Sequence, residues 1–194
     1  PGHARELLAQ AGWRQVDKGG ILVKDGKPFS FTILTNQGNQ QRLLTAQIIQ
    51  QRLKAVGVDV RIRVVEWATF LKEFVDKGNF EAVMLAWGTG QDPDMYDVWH
   101  SSKIKPGELN FVGFKNAEVD KLIVEGRSTF DLEKRKRAYF RIQEIMADEQ
   151  PYTFLYVPDS LPVVSSRIHG IQPAPAGIGH NQIKWFVPRH LQRY

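Results

Sequence analysis

The chain has 194 residues, 42% hydrophobic and 24% charged, a balance that supports a packed core and excludes a disordered or low-complexity polymer. Its net charge is +5, a mild basic excess that admits anionic partners without implying one. It has no cysteine, which excludes disulfides, thiolate metal sites and cysteine nucleophiles together. No apolar run approaches the roughly 20 residues that a spanning helix needs. The opening residues Pro1-Gly2-His3-Ala4-Arg5 carry neither an initiator Met nor the apolar stretch of a signal peptide. They read as a start made by processing or by excision from something longer.

In chain order, residues 6–11 form a short helical stretch stopped by Gly12. Two β-prone runs, 21–24 and 29–35, flank Asp25-Gly26, and a two-residue Asp-Gly link between such runs predicts a hairpin. Residues 36–39 are a polar loop. From 40 to 56, Ala46, Ile49, Leu53 and Val56 share one helical face, and Gly57 ends the helix where a left-handed residue is wanted. Residues 58–64 alternate strictly and predict a strand with one wet face. Trp67, Phe70, Leu71 and Phe74 recur at helical spacing up to Gly78. Residues 80–87 are almost continuously apolar, as in a central strand covered on both faces.

Residues 88–114 are loop-like. A helix then starts at Ala117 after an Asn116 cap, and a second runs over 132–148. Pro151 breaks the pattern, and residues 152–157 predict a final strand. Strands alternating with helices imply an α/β fold with a mixed, partly parallel sheet flanked by helices. Residues 1–168 are expected to form this lobe. Residues 169–194, rich in Gly and Pro without a period, are expected to be a tail that packs on a partner.

Catalytic and metal-binding patterns are sparse. His3, His100, His169, His180 and His190 are scattered, with no pair at a spacing that aims two rings at one metal. No nucleophile elbow, phosphate loop or kinase signature occurs. Lys134-Arg135-Lys136-Arg137 is the densest basic run, but four consecutive helical residues point around the circumference and form no single stripe for a phosphate backbone.

The informative stretch is 87–101. It leaves the C-terminal end of an apolar strand, the edge at which open α/β sheets place ligands. Gly88, Thr89 and Gly90 expose backbone amides, Asp92, Asp94 and Asp97 supply carboxylates, and Trp87, Tyr96 and Trp99 supply flat faces. The plainer reading is an Asp-Pro turn whose carboxylates cap the next turn, with Trp99 in the core; Asp92 suits that role. For Trp87 and the glycines a cleft is the better reading.

Several features occur together in one order: Ala4-Arg5-Glu6-Leu7-Leu8-Ala9-Gln10-Ala11-Gly12-Trp13, Asp25-Gly26-Lys27-Pro28-Phe29, and Thr35-Asn36-Gln37-Gly38-Asn39 with Arg42. Next come Glu66-Trp67 before Phe70, Trp87 with Asp92-Pro93-Asp94, Trp99-His100-Ser101, Asn116-Ala117-Glu118-Val119-Asp120, Arg137, Tyr139, Ile142-Gln143 and Pro151. Over residues 4 to about 170 this resembles the extracellular solute-binding proteins of family 5, the oligopeptide- and dipeptide-binding receptors of ABC importers.

The resemblance implies a C-terminal lobe of a two-lobed, non-enzymatic receptor that closes by a hinge and is read by a membrane permease. The final segment would pack on a missing N-terminal lobe. It implies a peptide or other small solute as ligand, no cofactor, no metal and no nucleic acid. The implied location is periplasmic or extracellular, with any membrane anchor in an N-terminal region outside this chain. The ligand edge would take Asn36, Asn39, Trp87, Gly88, Thr89, Gly90, Asp92 and Tyr96.

Peptide-binding members carry an aspartate shortly after this tryptophan that pairs with the peptide's ammonium. Here Gly90 stands where it would fall, so that anchor is absent or displaced. Two other classes compete. A nucleic-acid-binding module rests on charge and aromatics alone. A hydrolase using Asp92 or Asp94 as base lacks a second catalytic group.

Overall fold

The computed structural model describes residues 1–88 and 90–193. By packing, the chain divides into two compact units, Pro1–Gly88 with Pro93–Pro151, and Thr89–Asp92 with Tyr152–Tyr194.

The first unit opens with helix α1 (Gly2–Gln10), followed by a small antiparallel sheet of β1 (Gln15–Val16), β2 (Leu22–Lys24) and β3 (Lys27–Pro28). The Asp-Gly link behaves as the sequence predicts. Lys24 pairs with Lys27, and Asp25 and Gly26 both have positive φ, 51° and 74°, the twist that a two-residue hairpin needs. The return arm is short, because the chain then enters a second sheet.

That sheet is parallel, in the order β5 (Asp59–Val65), β4 (Ser30–Asn36), β6 (Ala82–Val83). Between β4 and β5 lies α2 (Gln40–Lys54), whose N-terminus is capped by the Asn39 side chain. Alternation along β4 divides the core. Ile33 packs with Ala46, Val56, Val58, Val60 and Met84, a cluster that includes the inner face of α2. Its neighbour Leu34 packs with Phe70 and Val75. Those two residues belong to the segment after β5, where α3 (Trp67–Thr69) widens into a π-helical stretch, Phe70–Val75. The wider register shows in the bonds from the Asp76 N–H to the Leu71 carbonyl and from the Asn79 N–H to the Phe74 carbonyl.

Two expectations fail here. The run 80–87 is not a covered central strand: only Ala82–Val83 pairs, with β4 alone, and the centre of the sheet is β4. Met84 adds one bond to the Leu34 carbonyl before the chain leaves the ladder. Residues 152–157 form no strand. Their composition suits one, but a strand exists only when a neighbouring backbone completes its ladder.

Within 88–114 the structure adds a short helix α4 (Tyr96–Trp99) and a 3₁₀ turn (Ser101–Lys103). Asn110, fully buried, holds this region: its Nδ2 donates to the carbonyls of His100 (3.2 Å) and Phe114 (2.9 Å), and its Oδ1 accepts from the Phe114 N–H (3.0 Å). Helices α5 (Ala117–Ser128) and α6 (Leu132–Glu149) then pair, capped by Asn116 and Asp131. Gly126 meets Tyr139, where a Cβ would lie 3.1 Å from the ring, so the small residue lets the two helices approach.

The second unit has little regular structure. His169 and Phe186 form one antiparallel bridge. Asn181, buried, donates to the Gly170 carbonyl (2.8 Å) and accepts from the Trp185 indole N–H (2.9 Å). Gly170 has φ +83°, and a Cβ there would lie 2.5 Å from the Lys184 carbonyl oxygen, so no other residue fits without movement. Two 3₁₀ segments, Ile178–Lys184 and Arg189–Leu191, complete the unit.

Candidate functional site

The three parallel strands end at one edge. Asn36 is level with Val65, and Leu34 with Val83, so the segments after β4, β5 and β6 emerge side by side. This is the C-terminal edge, where ligands of open α/β sheets bind.

After β4 come Asn36 and Asn39, and both serve Arg42. Asn36 Oδ1 accepts from Arg42 Nη1 at 2.8 Å, while Asn39 Oδ1 accepts from the Arg42 backbone N–H at 3.0 Å as the cap of α2. The Arg42 guanidinium carbon lies 5.8 Å from the centre of the Trp67 ring. Among the described residues no carboxylate pairs with this guanidinium, so its charge is met only by an amide oxygen and an indole face. Asn36 therefore positions the guanidinium, and Asn39 the helix start that carries it.

After β5, Glu66 caps α3, accepting from the N–H groups of Ala68 (2.9 Å) and Thr69 (3.0 Å). Those backbone bonds hold its carboxyl below the usual glutamate range. The next residue, Trp67, stacks on buried Phe70 and remains 44% exposed. The sequence places Trp67 on a helical period with Phe70, Leu71 and Phe74 and does not single out Trp67 or Arg42 as a ligand residue. The available signal was position: Trp67 opens a helix at the end of a parallel strand.

After β6, Trp87 is 37% exposed and lies on Phe111 (6.0 Å, 25°), which is buttressed edge-on by Phe80 (6.1 Å, 75°). Gly88 is exposed, and a Cβ there would meet nothing within 4 Å. Thr89 lies outside the described residues. Gly90 and Asp92 fall in the second unit; a Cβ on Gly90 would meet only the Asp92 amide nitrogen, at 4.0 Å. Sterics therefore do not require glycine at 88 or 90.

Tyr96 belongs to a different cluster. Asp94 Oδ1 accepts from the Tyr96 N–H (3.0 Å) and its Oδ2 pairs with Arg127 of α5 (2.9 Å). Arg127 lies 4.4 Å over the Tyr96 ring, and the Tyr96 and His100 rings are 4.3 Å apart. Nearby, Asp97 and Glu108 keep the Lys103 ammonium above its usual range, Asp97 most strongly. Ser101 donates from its backbone N–H (2.8 Å) and from its hydroxyl to Asp120, so the 3₁₀ turn after α4 is tied to α5 twice. The carboxylate that meets the first N–H of α4 is thus Asp94, not Asp92, and Trp99 is core, edge-on to Phe114 at 5.9 Å. The sequence candidates divide between the sheet edge, where Trp87 stands with Asn36 and Asn39, and the α4 cluster that holds Tyr96.

Among the described residues, no group of three or more His, Asp or Glu side chains could hold a metal ion, and no helix is long and apolar enough to cross a membrane.

Residues 1–107 match the family described as bacterial extracellular solute-binding proteins, family 5 Middle. The oligopeptide-binding protein AppA of Bacillus subtilis (strain 168) is 39% identical over 187 residues, 96% of this chain and 34% of that protein. The solved structure of AppA in complex with a nonapeptide aligns with a TM-score of 0.79 over 97% of this chain and 37% of that one. NikZ from Campylobacter jejuni, in complex with Ni(L-His), aligns with a TM-score of 0.77 at 25% identity, over 95% of this chain and 38% of that one. The chain spans about a third of the length of these relatives. It is one part of a family that binds solutes and is not defined by catalysis, and it belongs to the bacterial extracellular solute-binding proteins of family 5.

Proposed function

We propose that this chain is the C-terminal lobe of a receptor that captures peptides or peptide-like solutes outside the cytoplasmic membrane and presents them to the permease of an ABC importer. The observation that carries the reading is the C-terminal edge of the parallel sheet. There Trp67 and Trp87 stay partly exposed, and Arg42 has no carboxylate partner among the described residues. Indole faces accept apolar side chains and peptide planes, and a guanidinium accepts a carboxylate in two parallel bonds. These groups bind and orient a ligand. Glu66, the carboxylate that directly follows β5, is committed to capping α3 and is poorly placed to act as a base. The likeness to AppA, solved with a nonapeptide, supports a peptide as the ligand class.

In this reading Asn36 holds the Arg42 side chain, Asn39 caps the helix that carries it, Trp87 and Trp67 supply the apolar floor, and Gly88 borders the ligand. Tyr96, held by Asp94 and Arg127, steadies the start of α4. The partners are an N-terminal lobe, against which residues 169–194 pack, and the permease.

The test is calorimetry on the receptor that contains this lobe, using a peptide with a free C-terminus. Arg42→Gln and Trp67→Ala are each expected to weaken binding by about tenfold or more, roughly 1.4 kcal/mol. Unchanged affinity in both variants would sink the reading.

A second reading concerns the ligand's other end. With Gly90 where an aspartate would hold the ammonium, N-acetylation of a bound peptide is expected to cost little, and a solute without a free ammonium fits equally well. A loss of about a hundredfold on acetylation, roughly 2.7 kcal/mol, would show that an ammonium anchor survives.

A further inference from the structure

The linker between α5 and α6 ends the helical pair in a way that core packing does not explain. Phe130 is 102% exposed and Leu132 is 77% exposed. The pair has its own interface elsewhere, built on Val119, Ile123, Ala138, Ile142 and Ile145. Directly behind the two apolar residues stand Lys134, Arg135, Lys136 and Arg137. At 3.6 residues per turn, four consecutive positions encircle the helix. That ring is of no use to a phosphate backbone lying along the helix, but it suits an end-on approach to a charged plane.

The spacing agrees. A rise of about 1.5 Å per residue places the ring roughly 3–8 Å behind Leu132. Apolar faces enter the headgroup boundary of a bilayer to about 5–10 Å. Phe140, 53% exposed, lies under Lys136 at 5.6 Å and continues the stripe that Leu132 begins, at i, i+4 and i+8. Two acids stand among these residues, Asp131 and Glu133. Asp131 turns its carboxylate to the start of α6, accepting from the N–H groups of Glu133 (3.0 Å) and Lys134 (3.1 Å). Arg135 lies over the Tyr139 ring at 5.6 Å, so the outward cations are Lys134, Lys136 and Arg137, which against two acids leave the tip basic.

We infer that this tip docks on an anionic lipid surface, with Phe130 and Leu132 entering the interface and Lys134, Lys136 and Arg137 meeting phosphate headgroups. An acidic protein face would match the charge, but a convex apolar tip needs a pocket on such a partner, whereas a bilayer receives it anywhere. The inference does not depend on the proposed ligand, and a receptor that serves a permease works next to such a surface.

Co-sedimentation of the 194-residue chain tests it, using phosphatidylcholine vesicles with and without one quarter phosphatidylglycerol, at low and high salt. Binding is expected only with phosphatidylglycerol, weakened by salt. The pairs Phe130→Ser with Leu132→Ser, and Lys134→Gln with Lys136→Gln, should each lower partitioning by about tenfold. Thermal melts serve as the control for folding, since these side chains lie outside the core. The inference is overturned by equal binding to both vesicle types, by no binding to either, or by either variant pair binding like the parent. It is also overturned if the tip variants impair transport while the parent ignores vesicles, which would make the tip a protein contact.

Discussion

Residues 31–35 (Phe-Thr-Ile-Leu-Thr) and 153–157 (Thr-Phe-Leu-Tyr-Val) have nearly the same β-prone composition, yet only the first is a strand. Strand β4 has β5 along one side and β6 along the other, and Ile33, Leu34 and Thr35 are all buried. The second run joins no ladder among the described residues, and Phe154, Leu155, Tyr156 and Val157 are all exposed, Val157 to 93%. Propensity describes what a run can become; a neighbouring backbone and a covered face decide what it is.

The largest expected effect comes from that contrast. Ile33→Ala removes a side chain that is 5% exposed and packed on both α2 and β5, and should cost about 2–5 kcal/mol in denaturant titrations. Leu155→Ala, at 45% exposure, should stay under about 1 kcal/mol. Equal losses at the two sites would break the comparison. Native-state exchange sharpens it: amides of β4 should be among the slowest of the chain, and those of 153–157 among the fastest.

Legibility in the sequence divides along the same line. The Asp25-Gly26 hairpin, α2 with its Gly57 stop, and α5 with its Asn116 cap rest on contacts within a few residues, and all stand as expected. The run 80–87 was misjudged because its apolar residues do pack, Val83 and Leu85 with the Leu34 cluster and Met84 with the Ile33 cluster, while only two residues find ladder partners. Burial is legible in composition; pairing is not. At the site, the loop after β6 was legible as a strand exit, but Trp67 and Arg42 were not. Their meeting depends on β4 and β5 lying parallel and in register, which no local pattern encodes.

Where no ladder exists, side-chain amides supply the missing partners, and the two units can be compared on this point too. Asn110 satisfies three backbone groups in the first unit, and Asn181 bonds one carbonyl and one indole in the second. Asn110→Ala should cost about 2–3 kcal/mol, because it strands buried backbone groups around 100–114. Asn181→Ala should cost about 1–2 kcal/mol. Its signature should be local, as faster exchange of the His169 and Phe186 amides that bridge beside it. A global loss for Asn181→Ala as large as for Asn110→Ala would mean that the units do not differ in cohesion.

Caps come next in size. Asn116 accepts from the N–H groups of Glu118 (2.9 Å) and Val119 (3.1 Å). Asn116→Ala should therefore destabilise by about 1 kcal/mol, and Asn116→Asp by much less, since aspartate caps equally well. Matching losses for the two variants would argue that the bond from Asn116 Nδ2 to Glu149, at 2.5 Å, matters more than the cap.

The smallest effect tests whether the helix that carries Trp67 is ordered by its own cap, as the local elements above are, or by the sheet behind it. The Ala68 and Thr69 N–H groups, with the Thr69 hydroxyl adding less, keep the Glu66 carboxyl below its ordinary range in the folded chain. In the unfolded chain it titrates in the ordinary glutamate range. At neutral pH both states are ionised and the stabilisation is fully present. As pH falls, the unfolded chain takes up its proton first, and the stabilisation is lost from the ordinary glutamate range down through the lowered folded value. Glu66→Gln retains an acceptor for one N–H but cannot titrate. The gap in urea midpoint between parent and variant should thus be widest at neutral pH and close as pH falls through about 4. Glu66 is fully exposed, so solvent screens the contribution and the gap should be small. A gap constant across that range would assign the order of Trp67 to Phe70 and the sheet, with the charge on Glu66 contributing nothing.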